Sequence, residues 1–226
     1  MNLGLPNQIT LARLVVALVL FGLLSTLDAR QFAVQKGLLA VCFWLFLIGA
    51  LSDVLDGWLA RAWGQVSTFG RIVDPVVDKV LICGAFIFFC SRHFADPQRG
   101  SVTGIEPWMV ILILLRELLV SAIRSVAEAS GRKFPANKAG KFKMFLQSTT
   151  ICFILGELAW FPNLATARQV LVWAMLIVTV LSAWPYLLQA RAIMHAPKPE
   201  RAPTTGVGGG AMLPKTAPQS SGGAAG

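Results

Sequence analysis

The chain has 226 residues, of which 55% are hydrophobic and only 14% are charged. Soluble domains carry about 25% charged residues, so this composition excludes an ordinary soluble domain and predicts a membrane protein. The formal charge of +9 is better explained by attraction to anionic lipid head groups and phosphorylated substrates than by a nucleic acid, because no soluble basic domain or RNA-binding motif accompanies it.

Six apolar segments follow one another along the chain, and each approaches the length of about 20 residues that a helix needs to cross a bilayer. We predict an all-α polytopic membrane protein with six transmembrane helices. The first segment contains Arg13, has no basic leader and is followed by no small-residue cleavage site, so it is not expected to be a signal peptide. The predicted spans lie near residues 8–27, 36–59, 72–92, 105–127, 142–161 and 167–190.

The distribution of lysine and arginine among the loops predicts the orientation. The even-numbered loops are interpreted as cytoplasmic because they carry the denser basic clusters, which places both termini in the cytoplasm. The most basic loop, the fourth, holds or borders Arg132, Lys133, Lys138, Lys141 and Lys143. Residues 1–195 are therefore predicted to be one six-helix domain of the cytoplasmic (inner) membrane. Residues 196–226 are rich in proline and glycine and are predicted to be a disordered tail.

Four aspartates interrupt the apolar pattern where the second and third predicted helices meet. Asp53 and Asp56 are three residues apart, and Asp74 and Asp78 are four apart, so each pair shares one helix face. A charge near the bilayer centre costs about 2.5 to 3.5 kcal/mol, and four acids beside apolar segments therefore need a compensating partner. Hard divalent cations prefer oxygen ligands, and two such ions can bind the attacking and leaving oxygens of a phosphoryl transfer. The acids predict two Mg²⁺ or Mn²⁺ ions.

Two alternatives use the same residues without a metal. In the first alternative, the aspartates form interfacial salt bridges with Arg61, Arg71 and Lys79, an interpretation that fits each acid individually. Gly57 and Ala60 also fit a helix-packing surface of the small-xxx-small kind, which is compatible with nucleotide binding. Salt bridges alone do not account for small residues at fixed offsets from the acids, so the complete pattern is more specific than its parts.

The complete pattern resembles the signature of the CDP-alcohol phosphotransferase family. It reads Asp53-x-x-Asp56-Gly57-x-x-Ala60-Arg61, eight residues, and Gly70-x-x-x-Asp74-x-x-x-Asp78. The resemblance implies a six-helix membrane enzyme, expected as a homodimer, in which an alcohol displaces CMP from a CDP-linked donor. It implies two divalent metal ions held by Asp53, Asp56, Asp74 and Asp78, with Asp78 also acting as the general base.

The same resemblance implies that the CDP moiety is bound by Asp56, Gly57, Ala60, Arg61 and Gly70. The residue types suit that role. Small side chains at Gly57 and Ala60 allow cytidine or its diphosphate to approach the helix backbone. Arg61 offers forked donors to phosphate oxygens.

A second group of charges predicts the kind of alcohol. Arg116 and Arg124 are eight residues apart on the fourth predicted helix, a little over two turns, and Lys141 and Lys143 open the fifth. These four cations are predicted to bind a phosphate on the acceptor and to hold its hydroxyl for in-line attack. The alternative is that they anchor the helix ends to the cytoplasmic face.

These segments and the amino-terminal Leu5-Pro6-Asn7-Gln8-Ile9-Thr10-Leu11-Ala12-Arg13 resemble bacterial phosphatidylglycerophosphate synthases, a branch of that family. The implied reaction converts CDP-diacylglycerol and sn-glycerol 3-phosphate to phosphatidylglycerol phosphate and CMP. Three alternatives stay open. The acceptor could be serine, inositol phosphate or phosphatidylglycerol; the acids could line the path of a cation transporter; or the chain could be a non-catalytic scaffold of helices.

Overall fold

The computed structural model describes residues 5–63, 68–98, 100–129 and 138–195. Side chains are described throughout these ranges except at residues 5–9, 53–63, 68–75, 78, 128–129, 138–139, 189–190 and 192–195. The chain divides into two units, Met1–Met194 and His195–Gly226. The predicted tail from Ala196 onward lies outside the described residues.

The described residues form seven α-helices, two 3₁₀ helices and one short β-hairpin. The α-helices are α1 (Leu5–Thr26), α2 (Lys36–Trp63), α3 (Thr68–Phe89), α4 (Pro107–Ala129), α5 (Lys138–Trp160), α6 (Ala165–Leu181) and α7 (Trp184–His195). The 3₁₀ helices are Ala29–Gln31 and Arg92–Phe94, and strands β1 (Ala95–Asp96) and β2 (Gly100–Ser101) pair antiparallel between α3 and α4. The predicted all-α class is confirmed, because the strands are minor.

The helices pack into one bundle with an apolar interior. Helix α1 packs against α2 and α3, α2 also packs against α5, and α4 packs against α3 and α6. Each of α1 to α5 contributes fully buried side chains, among them Leu20, Phe46, Phe86, Ile113 and Ile154. Inside a bilayer such contacts stabilise the bundle mainly through close van der Waals packing, because lipid tails are as apolar as the side chains.

The outer surface of the bundle is apolar as well. Ile111 and Leu118 of α4, Phe145 of α5 and Leu181 of α6 are each more than 60% exposed. In water such a surface would favour aggregation, whereas lipid tails solvate it. The exposed apolar surface therefore agrees with a membrane environment.

Length and hydropathy single out one helical stretch. Within the described residues, Ala165–Leu188 is long and apolar enough to cross a membrane, whereas Thr10–Thr26, Lys36–Ser52 and Lys79–Phe89 are apolar but shorter. A single stretch of this kind also occurs as the core helix of a soluble protein. The count of six spans therefore stays a prediction.

The sixth predicted helix is divided into α6 and α7. The break lies at Ser182 and Ala183, just before Pro185, whose nitrogen has no hydrogen to donate to a preceding helical carbonyl. At the break, two backbone N–H groups donate to the carbonyl three residues earlier, as in a 3₁₀ turn. These bonds run from Ala183 N to Val180 O and from Tyr186 N to Ala183 O, both 3.0 Å. The apolar pattern continues across the break, and the pattern alone therefore predicted one helix.

Candidate active site

The four aspartates lie on two packed helices at matching depths. Helix α2 packs against α3, and the end of α2 and the start of α3 are separated in sequence by only four residues. Asp53 lies ten residues before the end of α2, and Asp78 lies ten residues after the start of α3. At 1.5 Å per residue, both are about 15 Å from the same end of the bundle.

Asp56 and Asp74, which lie nearer the connection between α2 and α3, follow the same pattern. Asp56 precedes the end of α2 by seven residues and Asp74 follows the start of α3 by six, or about 9 to 11 Å along the helices. Counted along the helices, two acids of α2 and two acids of α3 therefore lie at similar distances from the connection between the two helices. Their side chains lie outside the described set, as do those of Gly57, Ala60, Arg61 and Gly70, which occupy the same helix segments.

This donor set fits a divalent metal. Carboxylate oxygens are the ligands that Mg²⁺ and Mn²⁺ prefer, and the two neighbouring helices carry four of them within about two turns of each other along the helices. Among the side chains that the structure describes, which do not include the four aspartates, no three histidine, cysteine, aspartate or glutamate residues are grouped to hold a metal ion.

Two of the predicted acceptor-binding cations meet inside the bundle. Arg116 of α4 is 7% exposed and Lys143 of α5 is 2% exposed. Both contact the same oxygen of Glu117: Arg116 Nη1 donates to Glu117 Oε1 at 3.2 Å, and Lys143 Nζ donates to that atom as well. The structure thus joins two residues that are 27 positions apart in the chain around one carboxylate.

The other two predicted cations lie elsewhere on the protein surface. Arg124 and Lys141 are exposed, and the described hydrogen bonds and ion pairs include neither of them. In the described part of the chain, the four predicted acceptor-binding residues therefore divide into a buried pair and an exposed pair.

Helices α6 and α7 complete the surroundings of the buried arginine. Arg116 Nε donates to Ser182 Oγ at 3.0 Å, and the guanidinium carbon lies 5.7 Å from the centre of the Tyr186 ring. Stacking on an aromatic ring attracts a cation without consuming a hydrogen-bond donor. Arg116 Nη2 is buried and has no hydrogen-bond partner among the described residues.

A lysine beside the fourth aspartate connects α3 to the same region. Lys79, which follows Asp78, donates to Ser121 Oγ on α4, and Ser121 Oγ donates to the carbonyl of Glu117 at 2.8 Å. The described hydrogen bond of Lys79, a residue considered above as a salt-bridge partner of the aspartates, is thus made to a serine hydroxyl. Because Ser121 lies one helical turn after Glu117 on α4, this link connects the helix of Asp74 and Asp78 to the residue that contacts the buried cations.

Sequence reasoning did not include Glu117, Ser121, Ser182 or Tyr186 among the site residues. Glu117 stands next to Arg116 in an apolar segment, and that rarity was the available signal, because a carboxylate within a membrane helix almost always has a partner. Ser182 and Tyr186 offered no such signal. Their roles depend on the break between α6 and α7.

The comparison with family models places the chain in a known class. The family model of CDP-alcohol phosphatidyltransferases matches residues 3–181, which is more than half of the chain. The chain belongs to this family, whose members are membrane-associated, generally dependent on divalent metals, and defined by the transfer that their name describes.

Curated relatives are similar over most of their length. The chain is 31% identical to the CDP-diacylglycerol–glycerol-3-phosphate 3-phosphatidyltransferase of Bacillus subtilis, with 81% of this chain and 93% of that protein covered. It is 30% identical to the protein of that name from Cereibacter sphaeroides, covering 76% and 72%. It is 28% identical to the Rickettsia felis protein of that name, covering 81% and 93%.

Proposed function

We propose that the protein transfers the phosphatidyl group of CDP-diacylglycerol to sn-glycerol 3-phosphate, producing phosphatidylglycerol phosphate and CMP in phospholipid biosynthesis. The relatives that carry the name of this activity support the reaction, since they match over most of their length. The single structural observation that carries the choice of acceptor is the buried contact of Arg116 and Lys143 around Glu117.

The charge of this cluster favours an anionic acceptor. Two cations and one carboxylate leave a net charge of +1, and Lys79, which donates to Ser121 one helical turn after Glu117, adds a further cation. Two unbalanced positive charges match the dianion of a phosphate monoester, whereas serine would not need them. Because the cluster is shielded from water, its attraction to phosphate is stronger than that of the same charges at the surface.

The acidic end of α2 and α3 is assigned to the donor. Asp53, Asp56, Asp74 and Asp78 would hold two Mg²⁺ or Mn²⁺ ions, and Asp56, Gly57, Ala60, Arg61 and Gly70 would bind the CDP moiety. Divalent cations bound there would neutralise the diphosphate and the charge that develops on its leaving oxygen.

The remaining chemistry is assigned to residues of the chain. Asp78 accepts the proton of the glycerol phosphate hydroxyl, whose oxygen forms a bond to the phosphorus that carries diacylglycerol. The bond from that phosphorus to the CMP phosphate breaks, and Arg61 donates hydrogen bonds to the departing CMP. Arg116 and Lys143 hold the acceptor by its phosphate during this displacement.

The membrane arrangement belongs to the same proposal. Six spans in the cytoplasmic membrane, with both termini and the active site facing the cytoplasm, follow from the basic loops and suit a water-soluble acceptor. We assign the working form as a homodimer. Cysteine accessibility on each side of sealed vesicles tests the orientation, and light scattering in detergent tests the dimer.

The function is tested by CMP release from the purified protein in detergent. CDP-diacylglycerol and Mg²⁺ are supplied with glycerol 3-phosphate, serine, inositol phosphate or phosphatidylglycerol in parallel reactions. We expect release with glycerol 3-phosphate and loss of release in Asp78→Asn, while Asp28→Asn, a loop control, retains it. Release with another alcohol alone overturns the acceptor, and absence of release with every alcohol overturns the enzymatic function.

A further inference from the structure

Glu117 occupies an unusual position between two buried cations. Its side chain is 13% exposed, and its Oε1 atom alone accepts from both Arg116 Nη1 and Lys143 Nζ. Two cations buried this close repel each other, and neither has bulk water to solvate it. The carboxylate therefore determines where both positive charges lie before any substrate binds.

The arrangement leaves one nitrogen of the guanidinium without a partner among the described residues. Arg116 Nε is bound to Ser182, Nη1 is bound to Glu117, and the Tyr186 ring lies near the guanidinium carbon. Nη2 is the one nitrogen of Arg116 that has no hydrogen-bond partner among the described residues, although it is buried. A buried donor without an acceptor is costly, so this site favours a ligand that supplies an oxygen.

The same carboxylate residue is tied to the aspartate helix. The Glu117 carbonyl accepts from Ser121 Oγ, which accepts from Lys79 on α3. Helices α3, α4 and α5 therefore meet at Glu117, which sets the cations relative to the helix of Asp74 and Asp78.

We propose that Glu117 is the positioning residue of the acceptor site, holding Lys143 Nζ and Arg116 Nη1 so that Arg116 Nη2 is presented to the acceptor phosphate. The inference rests on the proposed function, since it concerns the binding of glycerol 3-phosphate. Glu117 does not itself touch the substrate. Its effect on the reaction passes through the two cations.

The decisive variant is Glu117→Gln, which keeps the shape and removes the charge. We expect the KM for glycerol 3-phosphate to rise about tenfold or more, because charge-assisted hydrogen bonds of both cations lose their fixed geometry. The KM for CDP-diacylglycerol is expected to change less than about twofold. A purely structural defect would lower the amount of active enzyme, and hence apparent kcat, while leaving both KM values unchanged.

Glu157→Gln is the matched control. Glu157 is 3% exposed and pairs with Arg168, so this variant also removes one carboxylate from a buried ion pair. It lies fourteen residues beyond Lys143 on α5, or about 21 Å along the helix. We expect it to leave the KM for glycerol 3-phosphate unchanged. Glu117→Asp, which retains the charge, is expected to restore part of the acceptor affinity, with a KM for glycerol 3-phosphate between those of the wild type and Glu117→Gln.

The outcomes separate this inference from the function on which it rests. If the wild type releases no CMP with glycerol 3-phosphate, the proposed function fails. If the wild type is active but Glu117→Gln alters neither KM, alters both equally, or lowers the KM for glycerol 3-phosphate, Glu117 is not a positioning residue. Should Glu117→Gln fail to fold, Glu117→Asp decides, since its shorter side chain must raise the KM for glycerol 3-phosphate selectively.

Discussion

Arg116 Nε donates to Ser182 Oγ at 3.0 Å, which joins α4 to the break between α6 and α7. Ser182 Oγ in turn donates to the Thr179 carbonyl at 2.7 Å, and Gln147 Nε2 of α5 donates to Thr179 Oγ1 at 3.3 Å. Three helices thus contribute to a polar interior around one guanidinium. The break at Ser182 matters to the site because an uninterrupted helix would not present Ser182 and Tyr186 in the same way.

The four aspartates are predicted to be indispensable for turnover. Asp74→Asn keeps the size of the side chain but removes a charged oxygen ligand, and we expect kcat to fall at least about 10²- to 10³-fold, as when other electrostatic groups of an active site are removed. Chelation of divalent ions by EDTA should abolish CMP release, and added Mg²⁺ or Mn²⁺ should restore it. Full activity of Asp74→Asn would contradict the metal site.

The two lysines at the start of α5 are predicted to differ in importance. Lys143 is buried against Glu117 and Lys141 is exposed, so a charge at Lys143 acts in a lower dielectric with less screening. Lys143→Gln should raise the KM for glycerol 3-phosphate about tenfold or more. Lys141→Gln should change it less than about threefold. Steady-state kinetics compare them, and equal effects would show that burial does not decide acceptor binding.

Gly84 of α3 is predicted to be required for close packing against α1. A Cβ atom at this position would lie 2.1 Å from Cζ of Phe21, whose ring stacks on Phe88 with centroids 5.5 Å apart. We expect Gly84→Ala to destabilise the protein by about 1 to 3 kcal/mol, because the ring must move.

The control for this substitution is Gly22→Ala. Gly22 follows Phe21 in α1, and a Cβ atom there would meet nothing within 4 Å. Alanine is favoured over glycine in a helix by about 1 kcal/mol, so this variant should be neutral or stabilising. Thermal unfolding in detergent measures both variants, and equal melting temperatures would refute the steric explanation.

The Glu157–Arg168 pair is predicted to stabilise α5 against α6. Both side chains are largely buried, at 1% and 12% exposure, and they contact each other directly. Glu157→Gln alone should cost about 3 to 5 kcal/mol, because it leaves a buried cation unpaired. Adding Arg168→Gln should recover part of that loss. A double-mutant cycle measures the coupling, and strictly additive losses would mean that the two charges do not interact.

The local spacing of the chain was sufficient to predict the helical class, which is confirmed, and it predicts an acidic site, which stays a prediction. Asp53 and Asp56, and Asp74 and Asp78, share helix faces at separations that every α-helix imposes, so no knowledge of the packing was needed. The apolar runs likewise predicted the long helices to within a few residues. The number of membrane spans and the metal ligation stay predictions, because they depend on the bilayer and on bound ions.

Only the tertiary structure distinguished the buried cations from the exposed ones. Arg116, Arg124, Lys141 and Lys143 look alike in sequence, yet Arg116 and Lys143 alone among them converge on Glu117 in the described part of the chain. The partners come from distant positions, 26 residues from Lys143 to Glu117 and 66 from Arg116 to Ser182. Sequence periodicity specifies which residues share a face of one helix, but the packing of separate helices decides which faces meet and which charges lose their water.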